Sequence, residues 1–131
     1  MKSTYIGTGF MSHNLPNLLL RFLLEITALI SLGMWGRSLS DGAVGIFLMI
    51  LVPVIAAALW GTFNVKGDPS RSGKAPVPVP GWVRLTLELV FFAGSAWALS
   101  GSNVLAGFGF GILVILHYLF SLDRIKWLLR Q

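Results

Sequence analysis

The chain has 131 residues, of which 55% are hydrophobic and 11% charged, with a formal net charge of +5. Soluble domains usually carry about 25% charged residues, so these residues cannot cover a water-facing surface and much of the chain must meet lipid. Cysteine is absent, which excludes disulfides and thiolate metal sites, and the excess of Lys and Arg reads as a membrane topology signal rather than a nucleic-acid footprint.

Residues Met1 to Asn14 read as a short tail. Only Lys2 is basic there, and the apolar run that follows continues as a full span without a small-residue cleavage site, so no cleavable signal peptide is expected. The first span is predicted over about Pro16 to Gly36. At 1.5 Å per residue it covers roughly 30 Å, the thickness of a hydrocarbon core. Trp35 marks its far end, and a short loop from Arg37 to Gly42 follows.

The second span is predicted over about Ala43 to Phe63 and carries no charge. Pro53 lies mid-span, removes one backbone donor and predicts a kink, with a neighbouring helix or a Ser/Thr group covering the freed Met49 carbonyl. Asn64 to Pro80 forms the long loop, and its Val77-Pro78-Val79-Pro80 run is expected to be extended. The third span runs from about Gly81 to Ser100, anchored by Trp82.

The fourth span runs from Val104 to about Phe120 and contains the pair Gly107 and Gly111, which suits close helix approach. Ser121 to Gln131 reads as a continuation of that helix into the interface, with Arg124, Lys126 and Arg130 reaching toward headgroups. Outside the spans, Lys2, Lys66, Arg71, Lys74, Arg124, Lys126 and Arg130 fall on one side, against Arg37 on the other. That bias places both termini and the long loop in the cytoplasm.

Two stretches carry intramembrane charge: Arg21-Phe22-Leu23-Leu24-Glu25 and Arg84-Leu85-Thr86-Leu87-Glu88. Segments one and three cross in the same direction, so both R-x-x-x-E stretches sit at one depth. Glu88 lies about 9 Å beyond Trp82. Arg before Glu is the weaker order for a pair within one helix, and a cation near a helix N-terminus opposes the macrodipole. Partners across helices are therefore expected: Arg21 facing Glu88, and Arg84 facing Glu25. The predicted fold is an all-α, four-helix membrane bundle, a single domain of two helical hairpins related by a parallel pseudo-two-fold repeat.

The runs Leu20-Arg21-Phe22-Leu23-Leu24-Glu25, Gly33 with Trp35-Gly36, Ala56-Ala57 with Trp60-Gly61-Thr62-Phe63, Lys74-Ala75-Pro76 and Arg84-Leu85-Thr86-Leu87-Glu88-Leu89 together resemble the YrdB-like family of small bacterial membrane proteins. The resemblance covers about residues 17 to 120. It implies four spans and a bacterial inner-membrane location, and it supplies no activity. This chain departs from the family pattern by inserting Gly67 to Gly73 before Lys74-Ala75-Pro76.

Two function classes follow. The favoured one is a structural or interaction subunit in which Arg21, Glu25, Arg84 and Glu88 are ionic glue. Its expected partners are the bilayer and a second copy or another membrane protein. The alternative is a small proton- or ion-coupled transporter or channel using Glu25 and Glu88. His117 is a candidate relay or ligand, but a lone intramembrane His more often bonds to a neighbour, and His13 supplies no second ligand at a usual spacing, so no metal or cofactor is expected. Trp60 and Trp97 are candidates for an aromatic pocket, with interface anchoring the simpler reading. No nucleophile–base–orienter set is present, so no enzyme is expected.

Overall fold

The computed structural model describes residues 15–68 and 74–131. The N-terminal tail with Lys2 and His13, and residues 69–73 of the insertion with Arg71, lie outside the described residues. The described chain is predominantly helical: α1 (Leu15–Ser38), α2 (Gly42–Thr62), α3 (Gly81–Ser102), α4 (Val104–Phe120) and α5 (Leu122–Leu129). Two short strands, β1 (Phe63–Asn64) and β2 (Val77–Pro78), pair in parallel. The Val77-Pro78 run is thus extended as expected, but one edge of it bonds to the end of α2.

α1, α2 and α3 are each long and apolar enough to cross a membrane. α4 has 17 residues, and it reaches a fourth crossing only if it and α5 count as one bent span. The sequence predicts α5 as a straight continuation of α4. Instead the chain turns by 70° at Ser121. Asn17 of α1 pins this corner, its Nδ2 donating to Ser121 Oγ at 2.8 Å.

α1 is the central helix and touches α2, α3 and α4. Its buried residues Asn17, Arg21, Leu24, Ala28 and Ser31 recur at three- and four-residue spacing, which lines up one face. Gly33 and Gly36 serve α2. A Cβ at Gly36 would stand 2.4 Å from the Leu48 carbonyl oxygen, so only glycine admits this approach. A Cβ at Gly33 would stand 3.1 Å from the Met49 oxygen. α1 therefore lies against the carbonyl that Pro53 leaves without its helical donor, and α2 runs on through the proline as one helix.

α2 packs chiefly on α1 and buries only Gly45 and Trp60. Leu48, Leu51, Val52, Pro53 and Ala56 are half-buried, and most of its other apolar side chains are exposed, the expected state for a helix in lipid. Leu24, Ala28, Trp60, Phe92, Phe110, Val114 and Tyr118 form the apolar core. Trp60 meets Phe91 at 4.5 Å and Phe92 at 5.5 Å between ring centroids.

Candidate functional site

The charges converge on Glu88. Its helix, α3, begins at Gly81 after Pro80, so Arg84 and Glu88 occupy successive turns of one face. Both are fully buried. Glu88 Oε2 accepts from Arg84 Nε at 2.9 Å and from Arg124 Nη2 at 2.7 Å. Its Oε1 accepts from Arg124 Nη1 at 2.8 Å and from the Tyr118 hydroxyl at 2.8 Å. Arg21 Nη2 lies 3.2 Å from the same oxygen. One carboxylate thus gathers donors from all the described helices except α2.

The expected Arg21–Glu88 pairing across α1 and α3 is present. The expected Arg84–Glu25 pairing is not. Glu25 pairs with Arg21 on its own helix at 3.2 Å. Arg84 instead spends its second nitrogen on backbone: Nη1 donates to the carbonyls of Trp60 at 2.7 Å and Phe63 at 2.8 Å. These are carbonyls at the C-terminal end of α2, where helix geometry leaves acceptors without donors and the macrodipole favours a cation. A guanidinium that closes a helix end gains hydrogen bonds that a second carboxylate would not replace.

Arg124 and Asp68 complete the cluster. Arg124 is predicted to snorkel toward headgroups, yet it is 1% exposed. Its Nε and Nη2 grip Asp68 at 2.9 and 2.5 Å, and its Nη1 and Nη2 grip Glu88. Burial works against its charge, and the hydrogen bonds to Asp68 and Glu88 offset this.

Asp68 reaches the site through a tight turn, closed by Asp68 N donating to the Val65 carbonyl at 3.2 Å. Gly67 sits at φ +80° in the third position, the left-handed conformation that a type II turn requires. Three arginines therefore face three carboxylates: Arg21, Arg84 and Arg124 against Glu25, Glu88 and Asp68.

Asp68, Tyr118 and Arg124 were not legible as site residues from sequence. The available signals were weak: a lone acid after a glycine in a basic loop, and an arginine four residues before Leu128, on the same helix face.

The remaining candidates separate. Trp60 joins the site: the Arg84 guanidinium carbon stands 4.3 Å from its ring centroid and that of Arg21 5.3 Å. Trp97 is exposed and meets Trp35 edge-on at 6.2 Å, so the two tryptophans do not share a pocket. His117 is buried, and its Nδ1 lies 3.0 Å from Asn17 Oδ1. Asn17 Nδ2 donates to Ser121, which leaves Oδ1 as acceptor and assigns the hydrogen to Nδ1 of His117. Gly107 is buried and used in packing, whereas Gly111 has open space where a side chain would stand.

A family model described as "Protein of unknown function (DUF2568)" matches residues 19–115. The chain belongs to the DUF2568 family. It is also 44% identical over 119 residues to "Uncharacterized protein YrdB" of Bacillus subtilis (strain 168), a match covering 90% of this chain and 97% of that protein. No solved structure matches. The resemblance drawn from the runs between Leu20 and Leu89 thus leads to the same family. In this DUF2568 chain, Arg21, Glu25, Asp68, Arg84 and Glu88 lie inside the matched span, and Tyr118 and Arg124 lie just beyond it.

Proposed function

We propose that this DUF2568 protein is a structural or interaction subunit of the bacterial inner membrane, with its ionic cluster serving as the clasp that fixes its helices. In this reading α1–α2 and α3–α4 are two hairpins of a four-span bundle, related by an axis along the membrane normal, with both termini and the long loop in the cytoplasm. The carrying observation is the enclosure of Glu88. Its exposure is 0%, and its oxygens are engaged by three arginines and a tyrosine. A carboxylate so surrounded has no face left for a transported ion, and removing it strands buried cations. Glu88→Gln is therefore expected to lower the melting temperature and yield of purified protein, and a Glu88→Gln variant that keeps wild-type stability would overturn the clasp.

A second reading rests on Glu25. Its side chain is 21% exposed and pairs with Arg21 at the longer distance of 3.2 Å. An accessible carboxylate inside a span suits a proton or cation site. Proteoliposome flux with Glu25→Gln, after confirming that the variant is folded, tests it: loss of a wild-type flux supports transport, and the absence of flux in wild type removes it.

A further inference from the structure

Two grooves mark the outer surface of the helices. One, of about 390 Å³, runs between α3 and α4 past Trp97, Gly107 and Gly111, and no charged residue lines it. The other, of about 570 Å³, opens where α2 and α3 part, with Leu32 of α1 as its floor. Ala56, Leu59, Trp82, Val90 and Gly94 form its walls. From Trp82 to Gly94 it extends roughly 18 Å along α3, close to the hydrocarbon depth of one leaflet, about 15 Å.

The second groove differs from the first at its mouth. α2 leads into β1, and β2 leads into α3, so the paired strands bridge the ends of the same two helices. A further cavity of about 590 Å³ sits on that bridge, lined by Lys66, Lys74, Ala75, Pro76 and Pro78. Trp82, 64% exposed, lines this groove at the start of α3, just after the strand whose Pro78 lines the basic cavity, the position an interfacial tryptophan prefers. An apolar channel one leaflet deep, with a cavity lined by two lysines on the strands that join its two helices, is complementary to one amphiphile: a long hydrocarbon chain bearing an anionic head.

We propose that this protein binds an anionic phospholipid, with an acyl chain laid in the α2–α3 groove and the phosphate held at Lys66 and Lys74. The bound chain fills the seam that α2 and α3 leave between them. This site is separate from the Glu88 clasp and stands whether or not that reading holds.

The experiment is native mass spectrometry of the full chain in mild detergent, titrated with phosphatidylglycerol and phosphatidylcholine of identical acyl chains. Phosphatidylglycerol is expected to bind more tightly, by about fivefold for each lysine. The double variant Lys66→Gln with Lys74→Gln is expected to bind both lipids alike. Gly94→Phe is expected to weaken binding of both lipids, because a side chain there projects into open space and takes the place of the acyl chain without striking its own fold. Should Gly94→Phe fail to fold, Val90→Trp fills the groove from its exposed side. Equal binding of the two lipids by wild type overturns the proposal. So does a folded, groove-filled variant that retains phosphatidylglycerol unchanged. So does one that dissociates a dimer while lipid binding is unchanged, which would assign the groove to a second copy.

Discussion

The two ends of the helices are held by opposite means. At one end, where α1 and α3 begin, charge does the work: Glu88 is buried under Arg21, Arg84 and Arg124, and Asp68 locks Arg124 in place. At the other end, contact depends on the absence of side chains. Gly36 lies against the Leu48 carbonyl, and Gly107 against Ser100, where a Cβ would stand 2.5 Å from the Ser100 Cβ. Asn103 caps α4 there by accepting from the Ala106 N–H at 3.1 Å. Close packing of apolar helices holds wherever shapes fit. An ionic hub holds only while every partner is present, because each charge is buried on the promise of the others. The charged end should therefore fail abruptly under single substitutions and the glycine end in proportion to added volume.

The largest effect is expected at Glu88. Glu88→Ala leaves Arg21, Arg84 and Arg124 facing one another without their common carboxylate, at a cost of about 3–5 kcal/mol. Thermal unfolding of purified protein in detergent measures it, and Glu88→Gln should fall in the same direction by less, since the amide oxygen still accepts. Next comes Asp68→Asn, which weakens a two-point grip on Arg124 and should cost about 1.5–3 kcal/mol. Its specific readout is proteolysis: the α5 region, anchored through Arg124, should be cut faster than in wild type while α1–α4 stay protected. An Asp68→Asn protein with unchanged α5 protection would show that the grip of Glu88 on Arg124 and the packing of Leu128 on Gly81, where a Cβ would strike the Leu128 carbonyl, hold the helix without Asp68.

What was legible in the sequence follows the same division. The long apolar helices were legible because they fill long apolar runs, and the adjacency of α1 and α3 because two charged stretches at one depth need each other. The partners of Arg84 are hidden from the sequence because a helix end's unpaired carbonyls carry no sequence label of their own. The burial of Arg124 is hidden for a related reason. A basic amphipathic tail has the same composition whether it lies along headgroups or folds back onto a buried acid. The 70° corner at Ser121 distinguishes the two, and the partners at that corner, Asn17 on Ser121 and Asp68 and Glu88 on Arg124, are far away in the chain. The G-x-x-x-G motif was half informative: it named two small residues without saying that one faces Ser100 and the other faces outward.

That half-informative pair supplies the gentlest test of the glycine end. Gly107→Val must push α4 from α3, since the neighbouring atoms include the backbone nitrogen of Ser100 at 2.8 Å from the new Cβ, and backbone cannot swing aside as a side-chain tip can. Overpacking of this kind costs about 1–3 kcal/mol. Gly111→Val meets nothing within 4 Å. It should change monomer stability by no more than about 0.5 kcal/mol, the usual range for outward-facing positions. The two substitutions share chemistry, helix and depth to within one turn, so helix propensity and lipid exposure largely cancel between them. Thermal unfolding of the pair in one detergent therefore isolates packing. Equal losses at both positions would mean that the outward face around Gly111 is itself covered in solution. The oligomer mass of Gly111→Val would then distinguish a second copy from detergent, because only a protein neighbour would be displaced as a discrete unit.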